Sequence, residues 1–336
     1  MIPNKILQMV GLLYSAMLSL ILILMIFSLP LGPYIVFHLD VGNGTSPDFP
    51  LLYLDGMLGG AGLDGSRGLE LGDIFIVMWS AYVVLFAMAL HGPKRNFLQF
   101  ILPTITDGNM SRGGNYAVDI IRWFTIIVLL SATINLAQES VGIITEPPAI
   151  ADDLLLFVNI SSSPIVEELG FRLLLIGLPL YLAYSHRASL RHFLKSMWRP
   201  AINLQPYDRK WTISLIIGVG VLFGLAHVIL GEPWTAGKFA QATVAGIILG
   251  WVYVKLGLLP TILIHWATNY FIYTYAYFVA HSAELPINDA FLHPLMGSLE
   301  ILFLVAGSIS ALVLFLKWYR RQTVIADNTP VPGRDE

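Results

Sequence analysis

Runs of about 20 apolar residues recur along the whole chain, and no other feature limits its fold as much. They cover roughly 7–36, 73–91, 117–136, 153–184, 211–230, 239–256, 259–280 and 298–318. With 56% hydrophobic and only 12% charged residues over 336 positions, the chain has far more apolar side chain than a water-soluble domain can bury. Lipid must therefore replace water around much of it. In lipid each backbone N–H and C=O needs a partner within the protein, and runs of this length supply one as helices. The expectation is an all-α polytopic integral membrane bundle with about eight transmembrane helices. The first run is too long for a signal-peptide core and no small-residue cleavage pattern follows it, so it reads as a retained signal-anchor.

Cytoplasmic loops collect lysine and arginine. With the N-terminus inside, the cytoplasmic side takes Lys5, Lys94, Arg95 and Arg112, the basic stretch from Arg187 to Lys210, Lys255, and the group from Lys317 to Arg334. Arg67 and Lys238 fall outside. Both termini are thus expected in the cytoplasm, with the chain in the cell membrane. Residues 37–72 are Gly- and Asp-rich and read as an outer loop, and Asn43-Gly-Thr45 fits a glycosylation sequon. The linker 185–210 carries Phe193, Leu194 and Trp198 among its charges, which suits either an amphipathic helix on an anionic inner leaflet or a solvated loop. The organisation reads as an N-terminal transmembrane region over 1–150, a core over 151–280, a last transmembrane helix within 281–321 and a disordered tail over 322–336. Nothing points to nucleic acid. The absence of cysteine removes disulfides, thiolate metal sites and thiol nucleophiles.

Ionisable side chains inside such runs cost several kcal/mol to hold, which makes them candidates for function. Glu167, Glu168 and Arg172 lie in one run, His227 in a second, His265 and Asn269 in a third. Residues four apart share a helix face, so Arg172 is expected to neutralise Glu168 and leave Glu167 free as a base. Phe223 is expected one turn from His227, holding the ring, and His265 and Asn269 to project side by side. Ser163 reads as an N-cap with Pro164 at the first helical position, which predicts a break near Pro164. Span counting puts Glu167 and His227 nearer the outer ends of their helices and His265 near an inner end. They can meet only if a helix is broken, tilted or short, with Pro164, Pro179 and Pro260 as the candidates.

Glu167-Glu-Leu-Gly-Phe-Arg172, Phe223-Gly-Leu-Ala-His227 and His265-Trp-Ala-Thr-Asn269 have the form EExxxR, FxxxH and HxxxN. In that order they resemble the CPBP family, which includes the type II CAAX prenyl endopeptidases and the Abi-like proteins; the resemblance spans about 150–275. It implies a glutamate-dependent intramembrane endopeptidase acting on a membrane-associated peptide or prenylated protein. Glu167, assisted by His227, would activate water, His265 and Asn269 would stabilise the oxyanion, and Glu168, Arg172 and Phe223 would support the site. No cofactor is expected. The rival within enzymes is a zinc peptidase with Glu167, His227 and His265 as ligands, although no HExxH pair is present. The rival outside enzymes is a proton-coupled transporter or membrane scaffold, against which stands the lack of two related halves. The aromatics from Trp266 to Phe278 are expected to serve helix packing rather than a lipid groove.

Overall fold

A computed structural model describes residues 4–38, 70–107, 114–145, 152–205, 208–229 and 234–327, and among these the regular structure is helical. In chain order the helices are α1 (Asn4–His38), α2 (Leu71–His91), α3 (Phe97–Asp107) and α4 (Tyr116–Glu139). Helix α5 runs over 153–184 in three continuous segments: Asp153–Glu167, a π-helical Glu168–Gly177, and Leu178–Tyr184. Next come α6 (Leu190–Trp198), the single turn α7 (Pro200–Asn203), α8 (Arg209–Ile229) and α9 (Lys238–Leu256). Helix α10, over 258–282, again has three segments: Leu258–Trp266, a π-helical Ala267–Phe271, and Ile272–Ser282. The short α11 (Ile287–Ala290) and the long α12 (Pro294–Asp327) close the chain.

Six of these helices, α1, α2, α4, α8, α9 and α12, are long and apolar enough to cross a bilayer, and the protein is an integral membrane protein. The two remaining apolar runs are α5 and α10, whose uninterrupted α segments are shorter because a π stretch divides each. Hydropathy does not register such a division. It also missed α3, whose apolar stretch is only about half a span. The 185–210 linker resolves in favour of the amphipathic helix, as α6. At the C-terminus α12 continues to Asp327, so the disordered tail expected from residue 322 is helical at its start. The outer loop and Asn43 lie outside the described residues, apart from the ends of the loop.

The predicted break at Pro164 is not found. Helix α5 begins at Asp153, capped by Asp152, whose carboxylate accepts from the Leu155 N–H at 2.8 Å, and Pro164 sits inside the helix. Proline has no N–H for the carbonyl four residues earlier, here Ile160. That carbonyl accepts the Ser163 hydroxyl at 3.2 Å and the Asn269 amide at 3.4 Å instead. Local replacement of one donor by two lets the helix run on. The same device recurs in α1, where Pro33 strips the Leu29 carbonyl of its helical donor. Trp79 Nε1 and Tyr270 Oη donate to it at 2.7 and 3.0 Å, tying α1 to α2 and α10.

The core between these helices is aromatic. Trp266, Tyr270 and Phe271 are fully buried and Trp266 stacks on each of the other two, with Tyr82 and Phe157 against Tyr270, so these aromatics after His265 do serve packing. Helices α8 and α9 form a close antiparallel pair through small residues. A Cβ on Gly220 would lie 2.4 Å from Ile247 Cγ1, and one on Gly246 only 3.1 Å from the Gly220 Cα. Two backbones approach this closely only where both faces lack side chains, the usual solution when van der Waals packing drives helix association in lipid.

Candidate active site

The π stretch of α5 begins at Glu168, the point at which the polar residues begin to converge. Glu168 and Arg172 are both fully buried, and Arg172 Nη1 lies 2.9 Å from Glu168 Oε1. The spacing expected to pair them does so, although across a π rather than an α turn. Arg172 Nη2 also donates to the Gly246 carbonyl of α9 at 3.4 Å, and its guanidinium lies 4.2 Å from the centre of the Phe223 ring. A buried charge is tolerable only when paired and bonded in this way.

Helix α10 joins from the other side. His265, buried, places Nδ1 2.7 Å from Glu168 Oε1. Since the ionised carboxylate can only accept, His265 Nδ1 carries the proton and donates. Its Nε2 is left with a lone pair, 3.8 Å from Glu167 Oε2. His227 of α8 repeats the logic: its Nδ1 is 2.8 Å from the Phe223 carbonyl, an acceptor only, so Nδ1 donates and Nε2 faces Glu167 Oε2 at 4.0 Å. Phe223 buttresses both imidazoles, with ring centres 4.6 Å from His227 and 5.8 Å from His265.

Three acceptor atoms therefore face one small gap: Glu167 Oε2 and two imidazole Nε2. Glu167 Oε2 is buried and has no hydrogen-bond partner among the described residues. Separations of 3.8 and 4.0 Å are too long for direct hydrogen bonds and suit a bridging molecule that donates, of which water is the smallest.

Asn269 sits on the π stretch of α10. Its Nδ2 donates to Ser163 Oγ at 2.8 Å and, more weakly, to the Ile160 carbonyl, while Thr268 Oγ1 donates to its Oδ1 at 3.1 Å. Its strongest contacts thus go to α5 rather than to the gap. The residues singled out in the sequence otherwise gather as expected, despite the conflict in depth from span counting. Counting treats every span as a straight α-helix. Here α5 and α10 change register within π stretches beside Glu168 and Asn269, and such stretches recur at functional sites. Pro179 follows the α5 stretch and Pro260 lies near the start of α10, so the interruption is π-helical rather than a proline break.

Two residues near the gap escaped the sequence reading. Lys238, which opens α9, interacts electrostatically with Glu167 and His227, and its ammonium lies 3.9 Å from the centre of the Trp234 ring. In the sequence it counted only as one of the two basic residues on the outer side. Ser163 read only as a helix cap.

No curated protein and no solved structure matches the chain. Residues 151–271 match the family model described as Type II CAAX prenyl endopeptidase Rce1-like. Every residue from Glu167 to Asn269 described above falls within that stretch, so the whole site lies in the part of the chain that is similar to the Rce1-like family.

Proposed function

We propose that the chain is a glutamate-dependent intramembrane endopeptidase that cuts near the C-terminus of a membrane-associated substrate, with prenylated CAAX proteins as the class the family description suggests. The observation that carries this is the gap bounded by Glu167 Oε2 and the two Nε2 atoms, which need a donor between them. A water there gives its hydrogens to two of the three acceptors and turns a lone pair toward an incoming carbonyl carbon. Glu167, with His227, takes the water proton as the C–O bond forms. The same proton passes to the amide nitrogen as the C–N bond breaks, leaving a carboxylic acid and an amine. Glu168 and Arg172 hold His265. His265, after taking up a proton from solvent at Nε2 before the attack, donates to the oxyanion and keeps that proton throughout, while the water's hydrogens go to Glu167 and His227; Asn269 joins by turning its weaker N–H away from Ile160 while keeping Ser163.

The same three atoms are donors of the types found in zinc sites. The two measured spacings, 3.8 and 4.0 Å, are wider than the roughly 3.3–3.5 Å edge of a tetrahedral zinc site. Water held by protein groups is therefore the preferred reading. We place both termini and most basic residues in the cytoplasm and count α5 and α10 with the six long helices, giving eight spans in the cell membrane. The chain contains no cysteine, so single introduced cysteines report sidedness without background.

The test is cleavage of farnesylated and unmodified membrane peptides by the purified protein, with and without a zinc chelator, beside Glu167→Gln. Cleavage lost in the variant and resistant to chelation supports the proposal. Chelator-sensitive cleavage replaces it with a metallopeptidase. A folded wild type that cleaves no peptide of the panel turns the assignment toward transport or scaffolding.

A further inference from the structure

Helix α6 is fixed to the bundle rather than merely resting beside it. Ser189 caps it by accepting from the His192 N–H, Tyr253 Oη donates to the Met197 carbonyl at 2.9 Å, and Phe193 meets Tyr181 edge-on at 5.1 Å. Its outer side is apolar and basic together. Leu190 and Leu194 are 72% and 57% exposed beside Arg191 and Lys195, and Ile202 of α7 is 63% exposed. Leucines this exposed in a membrane protein are at rest in hydrocarbon, with lysine and arginine reaching to the headgroups.

Between α6, α7, α5 and α10 lies a groove of about 660 Å³, open on its outer side and lined on its inner side by Leu173, Met197, Trp198 and Leu258. Its size is within the roughly 300–1,000 Å³ of small-ligand sites. Lys195 and Arg199 also line it, and neither has a carboxylate within 4 Å among the described residues. An apolar groove edged by two cations without carboxylate partners, Lys195 and an Arg199 that also lies 5.3 Å from the Tyr116 ring, suits an apolar chain bearing an anionic head.

We infer that this groove is a binding site for an anionic phospholipid of the surrounding leaflet, its acyl chain between α6 and the π stretch of α5 and its phosphate at Lys195 and Arg199. The lipid braces the active site. Leu173 directly follows Arg172, and Leu258 opens the helix that carries His265, so an acyl chain fills the space behind the two helices whose positions set the gap at Glu167. Binding rests on the groove alone; an effect on cleavage rests also on the peptidase reading, and the two are read separately.

The experiment uses the full-length protein in neutral detergent, titrated with phosphatidylglycerol or phosphatidylcholine, with bound lipid counted by native mass spectrometry and stability followed by thermal unfolding. The wild type should retain one phosphatidylglycerol in preference to phosphatidylcholine and melt higher with it. Each basic side chain near an anionic headgroup gives roughly fivefold, so Lys195→Gln with Arg199→Gln should weaken retention about twenty- to thirtyfold. Either single variant should weaken it about fivefold, which keeps the test open if the double variant does not fold. Arg191→Gln, on the same helix but outside the groove, should leave retention unchanged. An equal loss with Arg191→Gln would mean general attraction to an anionic surface and would overturn the site. Displacement by inorganic phosphate alone, or by a farnesylated peptide in place of the lipid, would overturn the assignment of its occupant.

Discussion

Among the described residues two arginines are buried, and their surroundings end differently. Arg122 of α4 donates from Nε to Tyr14 Oη at 2.9 Å, lies 3.7 Å from Asp119, and has its guanidinium against the rings of Phe100 and Tyr14; Tyr14 in turn bonds Ser310 of α12. That cluster joins α1, α3, α4 and α12, and its members bond one another across the helices. Arg172 begins in the same way, with a carboxylate and an aromatic ring, but the chain of bonds from it runs through Glu168 to His265 and ends at an atom facing Glu167 across a gap. A polar network that terminates on its own members holds helices together. One that ends on acceptors facing a space has room for a reactant.

The sharpest way to break this distinction is Glu167→Gln. Loss of a general base costs about 10²–10⁴ in rate, while the Arg172 network is untouched, so cleavage should collapse at an unchanged melting temperature. A parallel loss of stability would mean that Glu167 is structural after all. Next in size are Arg172→Met and Arg122→Met. Removing Arg172 strands the fully buried Glu168, which is expected to destabilise by about 3–5 kcal/mol and to release His265. Asp119 keeps an attraction to Lys317, so Arg122→Met should cost less, and its folded fraction should cleave at the wild-type rate. Thermal unfolding combined with turnover per folded molecule separates the two arginines. Equal loss of specific activity in both variants would erase the contrast.

Most of the site was legible in the sequence because its signal is local. Glu168 with Arg172 and Phe223 with His227 are pairs one turn apart, and polar residues stand out in an apolar run. What escaped is non-local. The rule of four places His265 and Asn269 together on α10, yet the imidazole is held by Glu168 and the amide by Ser163, both on α5, and no spacing within one helix reports that. The two π stretches were equally hidden, since they change the hydrogen-bond register and not the hydropathy. Pro164 misled for a related reason. A proline inside a run reads as a break unless the replacement donors for its orphaned carbonyl are known, and here one of them is 109 residues from that carbonyl in sequence.

A smaller effect tests how closely α8 and α9 must approach to bring His227 to the gap. With Ile247 Cγ1 only 2.4 Å from a Cβ at Gly220, Gly220→Ala should cost about 1–3 kcal/mol, since the neighbour or the backbone must move. Gly218 has open space at the same position, so Gly218→Ala should be neutral or slightly stabilising. If that shift also lowers turnover for Gly220→Ala, the helix pairing positions His227 as well as stabilising the bundle.

The smallest expected effects come from comparing the two orphaned carbonyls. At Leu29 the replacement donors, Trp79 and Tyr270, lie in the aromatic core, whereas at Ile160 they are Ser163 and the site residue Asn269. Tyr270→Phe should therefore cost about 1 kcal/mol of stability and leave turnover per folded molecule unchanged. Ser163→Ala should cost about as much stability but also lower turnover, because it removes the 2.8 Å contact that fixes the Asn269 amide. Pro164→Ala supplies Ile160 with a backbone N–H, relieving Asn269 of that carbonyl, so combined with Ser163→Ala it should recover stability without recovering turnover. Full recovery of both would mean that Asn269 serves α5 alone, and its proposed part at the oxyanion would fall.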